Sequence, residues 1–187
     1  MKTLFMLFGF LVLFIAPAVA QDMPKIEVSG GYSLFFYSQA TGTYLKMNGW
    51  TGSANYIIFK RWLSADADAS GNYTNQGVSG KTSAYSLLIG PQFYPFGHRK
   101  LTLFGHVLFG AGYYNVSYPA YAGFPTSHYS DVAYSYDAGS GVDLNLSKRW
   151  GIRLAQFDFQ QTRFRSSSGG QGNFRVSVGL TYRFGKK

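Results

Sequence analysis

A short motif, His128-Tyr129-Ser130, carries the residue types that nucleophilic catalysis requires. On a β-strand, residues i and i+2 share a face, so the imidazole could serve as a base toward the hydroxyl group. A site of this kind also needs a carboxylate that orients the imidazole. Asp131 and Asp137 are the nearest acids, and both are loose substitutes for it. The motif therefore gives a hydrolase as an alternative interpretation, and we predict no catalytic residue.

Metal and cofactor chemistry finds little support in the residue types. The chain has no cysteine, and its three histidines, His98, His106 and His128, fall in a predicted turn, strand and loop without ligand spacing. We therefore predict no metal site and no cofactor, and we interpret His106 as a hydrogen-bonding residue on a polar strand face. The glycines of the segment 110–112 precede no helix, so they do not form a phosphate-binding loop.

The remaining side chains that could take part in chemistry are charged. They lie in segments where apolar and polar residues alternate, a pattern that indicates β-strands. Near the C-terminus, apolar or aromatic residues at every second position from Phe174 to Phe184 alternate with small residues, Arg175 and Arg183. A period of two places the two sets on opposite faces of a strand. Stretches of this kind predict eight strands, at 25–38, 48–59, 61–73, 82–94, 100–115, 131–146, 150–164 and 172–184.

The predicted strands are long, and their connections alternate in length. A tilted strand needs only about 9–11 residues to cross a bilayer. Three connections are tight (60–61, 95–99 and 147–149), whereas the others (39–47, 74–81, 116–130 and 165–171) are longer and rich in Gly, Ser, Asn and Tyr. Short turns on one rim and long loops on the other are typical of an outer-membrane β-barrel. Because lipid cannot pair backbone polar groups, we predict an all-β fold: a closed eight-stranded antiparallel transmembrane β-barrel.

The composition and the N-terminus agree with export. Of the 187 residues, 19% are aromatic and only 13% are charged, which excludes a disordered chain and a coiled coil. Lys2, an apolar run from Leu4 to Ile15, and Ala18-Val19-Ala20 form the pattern of a signal peptide. We predict a signal peptide at 1–20, a barrel domain at 21–187, and location in the outer membrane of a Gram-negative-type bacterium. Although the net charge is +9, an exported barrel has little access to nucleic acid, so we expect no such partner.

Charged residues on the polar faces predict an ion network inside the barrel. Unpaired ions in a narrow lumen would be costly, so these side chains should neutralise one another. We expect Glu27 to meet Arg183 or Arg175, and the network to consist of Glu27, Asp66, Asp68, Asp143, Arg153, Asp158, Arg175 and Arg183.

Four basic pairs predict a second charged feature, on the rim that holds the short turns and the termini. Trp62 and Trp150 each follow one of these pairs by one residue, where aromatic belts meet headgroups. We expect this rim to face the periplasm and to contact anionic lipid headgroups. Its members are Lys60, Arg61, Arg99, Lys100, Lys148, Arg149, Lys186 and Lys187.

Several short motifs, in order, resemble the bacterial outer membrane β-barrel family. The chain is similar to the transmembrane domain of outer membrane protein A and to opacity-type proteins, and the similarity covers essentially all of 25–185. Members end in an aromatic strand signal read by the barrel-assembly machinery, and Phe184 fits that role. The motifs are Val28-Ser-Gly-Gly-Tyr32, Gly49-Trp50, the Asp66/Asp68 strand, Gly90, Pro95-Phe96, Leu108-Phe-Gly110, Gly139-Ser-Gly-Val-Asp143, Arg153-Leu154, Asp158-Phe159 and Arg175-Val-Ser-Val-Gly179.

The resemblance implies a structural or surface role, with a lumen filled by side chains and at most a small pore. The expected partners are outer-membrane lipids and the barrel-assembly machinery, and we expect a monomer. Two alternatives stay open. The His128-Tyr129-Ser130 motif resembles the His-x-Ser of outer-membrane lipid A deacylases, which would make the chain a lipid-modifying enzyme. The second alternative is a small porin, or an adhesin acting through the tyrosine-rich loop 113–130.

Overall fold

The computed structural model describes residues 25–38, 42–59, 62–74, 81–118, 127–164 and 170–184. Each strand is antiparallel to the next, and β8 pairs with β1, which confirms the predicted closed eight-stranded barrel. Among the residues described, no helix is long and apolar enough to cross a membrane. The expected signal peptide lies outside these residues. The strands are β1 (Ile26–Ser38), β2 (Tyr44–Phe59), β3 (Leu63–Thr74), β4 (Lys81–Phe93), β5 (Leu101–Tyr118), β6 (Ser127–Asn145), β7 (Trp150–Phe164) and β8 (Gly170–Phe184).

Two strands begin earlier than the sequence predicts, at the rim with the long loops. β2 starts at Tyr44 rather than 48, and β6 starts at Ser127 rather than 131. The reason is backbone pairing: Ser38 lies opposite Tyr44, and Tyr118 lies opposite Ser127, so the ladders continue beyond the predicted ends. In the added part of β2 the buried residue is Met47 and the exposed one is Lys46, and in the added part of β6 residues 128–130 are all exposed, so neither segment shows the pattern of polar residues inside and apolar residues outside.

The two faces of the barrel have opposite polarity. Apolar side chains at alternate positions point outward, as Leu87 and Ile89 of β4 do with more than 60% of their surface exposed. The intervening positions point into the lumen, and most of the buried side chains there are polar or charged. A barrel that is apolar outside and polar inside suits lipid rather than water.

Aromatic side chains form a belt near each rim. Tyr73, Tyr85 and Tyr113 lie in ring contact at the loop end, with centroids 5.6 and 6.3 Å apart. At the turn end, Trp62 stacks on Phe93 with centroids 6.4 Å apart. On β4, Tyr85 and Phe93 are separated by about 26 Å along the strand, or about 20 Å along the axis for a tilt of ~40°. This spacing is close to the roughly 25 Å apolar band of outer-membrane barrels.

The seam between β1 and β8 depends on a close backbone approach. A Cβ atom on Gly31 would lie 2.0 Å from the carbonyl oxygen of Val178, and one on Gly179 would lie 2.5 Å from that of Gly30. These distances leave no room for a side chain. Gly30 itself is different, because the nearest atom to its Cβ position is 4.0 Å away. Glycine is therefore required at 31 and 179 so that the first and last strands can pair.

A β-bulge in β7 changes which residues face the lumen. Strict alternation would place Arg153 and Asp158 on opposite faces of the strand. The pairing of β7 with β8 shifts register between Arg153 and Gln156, so Leu154 and Ala155 both lie outside the buried set. As a result, Arg153, Gln156 and Asp158 all point inward.

Candidate functional site: the charged lumen

One row of paired residues crosses four neighbouring strands and places the central charges side by side. His106 of β5 lies opposite Gly139 of β6, which lies opposite Asp158 of β7, which lies opposite Arg175 of β8. Residues directly opposite each other in a ladder project from the same face of the sheet. Here that face is the lumen, where each of these three polar side chains is at most 3% exposed.

Arg175 joins opposite sides of the lumen. Its Nε donates to Asp158 on the adjacent strand at 2.7 Å, and its Nη1 donates to Asp68 of β3 at 2.8 Å. The third contact is between Nη2 and Asp137 Oδ2, 3.7 Å apart. A guanidinium group suits this position because its planar fork presents several donors at fixed angles. Arg175 is thus a crossbar between β8 and β3 through the middle of the barrel.

Arg153 forms a second ion pair, nearer the short turns. It binds Asp143 through Nε at 2.9 Å and Nη2 at 3.2 Å, and it donates to Gln156 at 2.8 Å. Its guanidinium carbon also lies 4.4 Å from the centre of the Phe104 ring, a cation–π contact. Gln156 in turn donates to both carboxylate oxygens of Asp158. The Arg153–Asp143 pair and the Arg175 cluster therefore form one hydrogen-bonded network.

The third ion pair lies at the seam of the barrel. Glu27 and Arg183 are directly opposite each other on β1 and β8, and Arg183 Nε donates to Glu27 Oε2 at 2.5 Å. Both side chains are at least 97% buried. Of the two partners that the sequence allowed for Glu27, the structure places Arg183 beside it, whereas Arg175 binds the aspartates.

All eight residues of the predicted network point into the lumen, although the sequence predicted partners only for Glu27. Asp66 contacts no arginine among the described ion pairs; the ionisable side chain beside it is that of His106, with Asp66 Oδ2 3.9 Å from Nδ1. Sequence analysis also left out Asp137 and Gln156, which contribute to the centre of the network. Alternation assigned Asp137 to the polar face, but only the register between strands shows what it contacts.

Apolar side chains fill the lumen toward the long loops. Phe35, Met47 and Tyr114 are each at least 95% buried there and pack with Ala84 and Ala133. Tyr94 and Phe104 are buried similarly at the opposite end, with ring centroids 6.5 Å apart. An eight-stranded barrel is just wide enough for its interior to be filled by side chains. The charged network therefore shares the lumen with large side chains toward both ends.

The turn rim, defined by residue 62 and the connections 94–100 and 146–149, carries the described half of the predicted basic residues. Lys100, Lys148 and Arg149 are exposed there, and Arg99 is half-buried. The turns are anchored by backbone hydrogen bonds, including Arg183 N to Arg149 O at 2.8 Å. Trp62 and Trp150 lie at the same rim with about half of their surface exposed. The other predicted members, Lys60, Arg61, Lys186 and Lys187, lie outside the described residues.

The His128-Tyr129-Ser130 motif lies at the exposed start of β6. His128 Nδ1 contacts the hydroxyl of Ser117 on β5 at 2.9 Å, so the serine beside the imidazole is not Ser130. Asp131 accepts hydrogen bonds from the Tyr129 hydroxyl at 3.2 Å and from the Val132 amide at 2.8 Å. Asp137 points into the lumen, on the other face of β6 from His128.

The closed ladder, the aromatic belts and the charged interior define a small transmembrane β-barrel of the outer-membrane class. The family model described as outer membrane protein beta-barrel domain matches residues 6–184. The chain therefore belongs to this family, and the family places it in the Gram-negative outer membrane. No curated protein matches the chain at a significant level of similarity.

Solved structures show the same fold at low sequence identity. Ail, the attachment invasion locus protein of Yersinia pestis, is 18% identical, with 87% of this chain and 100% of that chain covered and a TM-score of 0.65. Neisserial surface protein A (NspA) is 13% identical, with 88% and 100% covered and a TM-score of 0.66. OprG from Pseudomonas aeruginosa is 10% identical, with 89% and 99% covered and a TM-score of 0.55.

Proposed function

We propose that this protein is a structural or surface barrel of the outer membrane protein A type, without a permanent pore. The observation that carries this proposal is the Arg175 crossbar, which binds Asp68 and Asp158 on opposite sides of the lumen. Arg175 has the largest fully buried side chain among the described residues. A solute crossing the barrel would have to break these charge-assisted hydrogen bonds.

The layers on either side of the crossbar support the same function. The packed cluster around Phe35 and Tyr114 lies on the side of the loops, and toward the turns Phe104 packs against Arg153 and Tyr94. Ions entering from either end would first have to displace large side chains, which is costly in a close-packed interior. The barrel can then contact other molecules only through its rims and its outer surface.

Conductance in planar bilayers tests this proposal. We expect the purified wild-type barrel to give no stable nanosiemens-scale channel. Replacing Arg175 by Ala should increase the frequency of openings because it removes the crossbar. The matched control is Arg163→Ala, which removes an exposed arginine of β7 and should leave the trace unchanged. A steady large channel in the wild type would overturn the proposal.

The proposed partners are membrane components. The turn rim faces the periplasmic leaflet and contacts anionic headgroups, since basic side chains near an anionic surface gain about 1 kcal/mol each. The barrel-assembly machinery recognises the aromatic end of β8 at Phe184. The barrel acts as a monomer, and nucleic acid is not a partner.

The lipid A deacylase alternative gains no support from the His128 site. Activation of Ser130 by His128 would need the imidazole to turn away from Ser117, which it contacts at 2.9 Å. Asp131 is already engaged by Tyr129 and by the Val132 amide. We therefore propose that the barrel is not an enzyme.

A further inference from the structure

The centre of the lumen brings one imidazole nitrogen and two carboxylate oxygens to a single point. His106 Nε2 lies 3.2 Å from Asp158 Oδ1 and 3.4 Å from Asp137 Oδ1. The three ligand atoms offered by these residues lie within 4.8 Å of one another. Ligand atoms held about 2.0–2.1 Å from a tetrahedral Zn²⁺ ion are about 3.3 Å apart, so two edges of the cluster have the dimensions of a metal site.

Gly139 provides the space between these ligands. It lies between His106 and Asp158 in the row across β5, β6 and β7. A Cβ atom at this position would lie 2.2 Å from Asp158 Oδ1 and 2.5 Å from His106 Nε2. Any side chain here would separate the imidazole from the carboxylate. The glycine thus keeps open the volume onto which both side chains converge.

All three ligand side chains are deeply buried, and two of them, His106 and Asp137, lack hydrogen bonds within the described residues. Asp137 is 0% exposed, and in the described part of the chain neither of its carboxylate oxygens accepts a hydrogen bond. Neither ring nitrogen of His106, which is 3% exposed, has a hydrogen-bond partner there either. Buried polar groups nearly always have partners, so a set of orphaned atoms aimed at one point indicates a bound ligand.

The charge balance of the lumen identifies that ligand as a cation. Within the described residues, six buried carboxyl groups accompany only three buried guanidinium groups. Even a protonated His106 would leave two negative charges in excess, and a metal-bound His106 is neutral, so that three remain. Isolated buried carboxylates are strongly unfavourable, and a dication would neutralise two of these three charges. The lumenal carboxyl groups are those of Glu27, Asp66, Asp68, Asp137, Asp143 and Asp158, and the guanidinium groups are those of Arg153, Arg175 and Arg183.

We infer that His106, Asp137 and Asp158 bind a divalent first-row transition metal ion, with Zn²⁺ as the ion that their chemistry suits. Imidazole nitrogen together with carboxylate oxygen is a ligand set that Zn²⁺ accepts, whereas Ca²⁺ and Mg²⁺ prefer oxygen alone. This site is independent of the proposed structural role, and neither conclusion requires the other.

Neighbouring side chains hold the proposed metal ligands in position. Asp66 Oδ2 lies 3.9 Å from His106 Nδ1, on the side of the ring away from the metal position. This distance is too long for a hydrogen bond, but the nearby carboxylate favours the tautomer with its proton on Nδ1, which leaves Nε2 free to bind the ion. Asp158 Oδ2 is held by Arg175 at 2.7 Å, and Gln156 donates to both Asp158 oxygens. Asp66 is thus a positioning residue for His106, and Arg175 and Gln156 are positioning residues for Asp158.

Metal retention by the refolded barrel tests the inference directly. The full chain would be refolded in detergent in the presence of Zn²⁺, so that the ion can enter before closure, and then passed over a chelating resin. We expect one equivalent of Zn²⁺ per chain by elemental analysis, and visible ligand-field absorption when Co²⁺ replaces it. Wild-type protein that retains no Zn²⁺ and shows no Co²⁺ absorption would overturn the site and leave protons to neutralise the carboxyl groups.

Four variants locate the bound ion. His106→Gln should abolish retention, and Gly139→Ala should weaken it by filling the space between the ligands. Asp66→Asn should weaken affinity by about 10–100-fold while retaining the Co²⁺ spectrum in altered form. The control is His128→Ala, which removes a surface histidine and should change nothing. Equal loss in His128→Ala and His106→Gln, or full retention in a folded His106→Gln, would overturn the assignment. If His106→Gln does not fold, Asp66→Asn and Gly139→Ala decide it, since unchanged affinity in both would exclude this site.

Discussion

The ion pair at the β1–β8 seam predicts a large, non-additive effect on stability. Replacing Glu27 by Gln leaves the guanidinium of Arg183 buried without its countercharge, and replacing Arg183 by Met leaves the carboxylate in the same condition. Both groups are at least 97% buried, so water cannot easily replace the lost partner. Each single substitution should therefore cost more than a surface ion pair is worth.

The magnitude follows from the 2.5 Å separation of Arg183 Nε and Glu27 Oε2. At an effective dielectric constant of about 20, two unit charges at that distance attract by roughly 6–7 kcal/mol. Desolvation of the two ions offsets much of this attraction, and removal of one partner of a buried pair typically costs about 3–5 kcal/mol. The double variant contains neither buried charge, so we expect it to lose less than the sum of the two single losses.

Unfolding in urea from detergent or lipid vesicles measures these free energies, with tryptophan fluorescence and heat-dependent gel mobility as independent probes. The control is Arg163→Gln, because Arg163 is an exposed arginine on β7. It should leave the unfolding midpoint nearly unchanged.

The reasoning fails if either single variant unfolds at the wild-type midpoint. It fails equally if the two losses add within about 0.5 kcal/mol, since independent sites behave in that way. In either case the contact would contribute nothing specific to closure of the seam.

Three further predictions follow from the seam, the turn rim and the surface of β6. Gly31→Ala should strongly lower the temperature at which gel mobility changes, because its Cβ would meet the Val178 carbonyl oxygen. Gly30→Ala is the control and should lower that temperature only slightly. Equal shifts in the two variants would contradict the close approach. Changing the four described basic residues of the turn rim to Gln should reduce thermal stability only in vesicles with anionic lipid, and added salt should remove the difference. Replacing His128 or Ser130 by Ala should leave lipid A acylation unchanged by mass spectrometry, and loss of an acyl chain that depends on both residues would instead support the enzyme.

The barrel was predictable because a single physical constraint acts on every strand. Lipid outside and a narrow lumen inside require alternation with a period of two, and β8 shows that period without interruption from Phe174 to Phe184. The ends of the strands were less predictable. At Tyr44 and Ser127 the backbone ladder continues where this pattern is lost, since Met47 is buried beside the exposed Lys46 and residues 128–130 are all exposed.

The contents of the lumen were predictable by residue type, but their contacts were not. Charged residues on an inward face need partners, and the sequence limited those of Glu27 to Arg183 or Arg175 because the two closing strands begin and end at the same rim. The convergence of His106, Asp137 and Asp158 involves three strands. It depends on register, on Gly139 and on the bulge in β7, and none of these is visible in the alternation of a single strand.

The distribution of charge among the strands has a consequence for the order of events during assembly. Two of the three buried guanidinium groups, those of Arg175 and Arg183, belong to β8, the last described strand, while the carboxyl groups belong to β1, β3, β6 and β7. Their contacts span up to 156 positions along the chain. A seven-stranded precursor would thus present an acidic, water-filled trough with one arginine in it. The arrival of β8 supplies the missing cations and the missing edge at the same moment, so electrostatic attraction favours this strand over any other edge that could close the sheet.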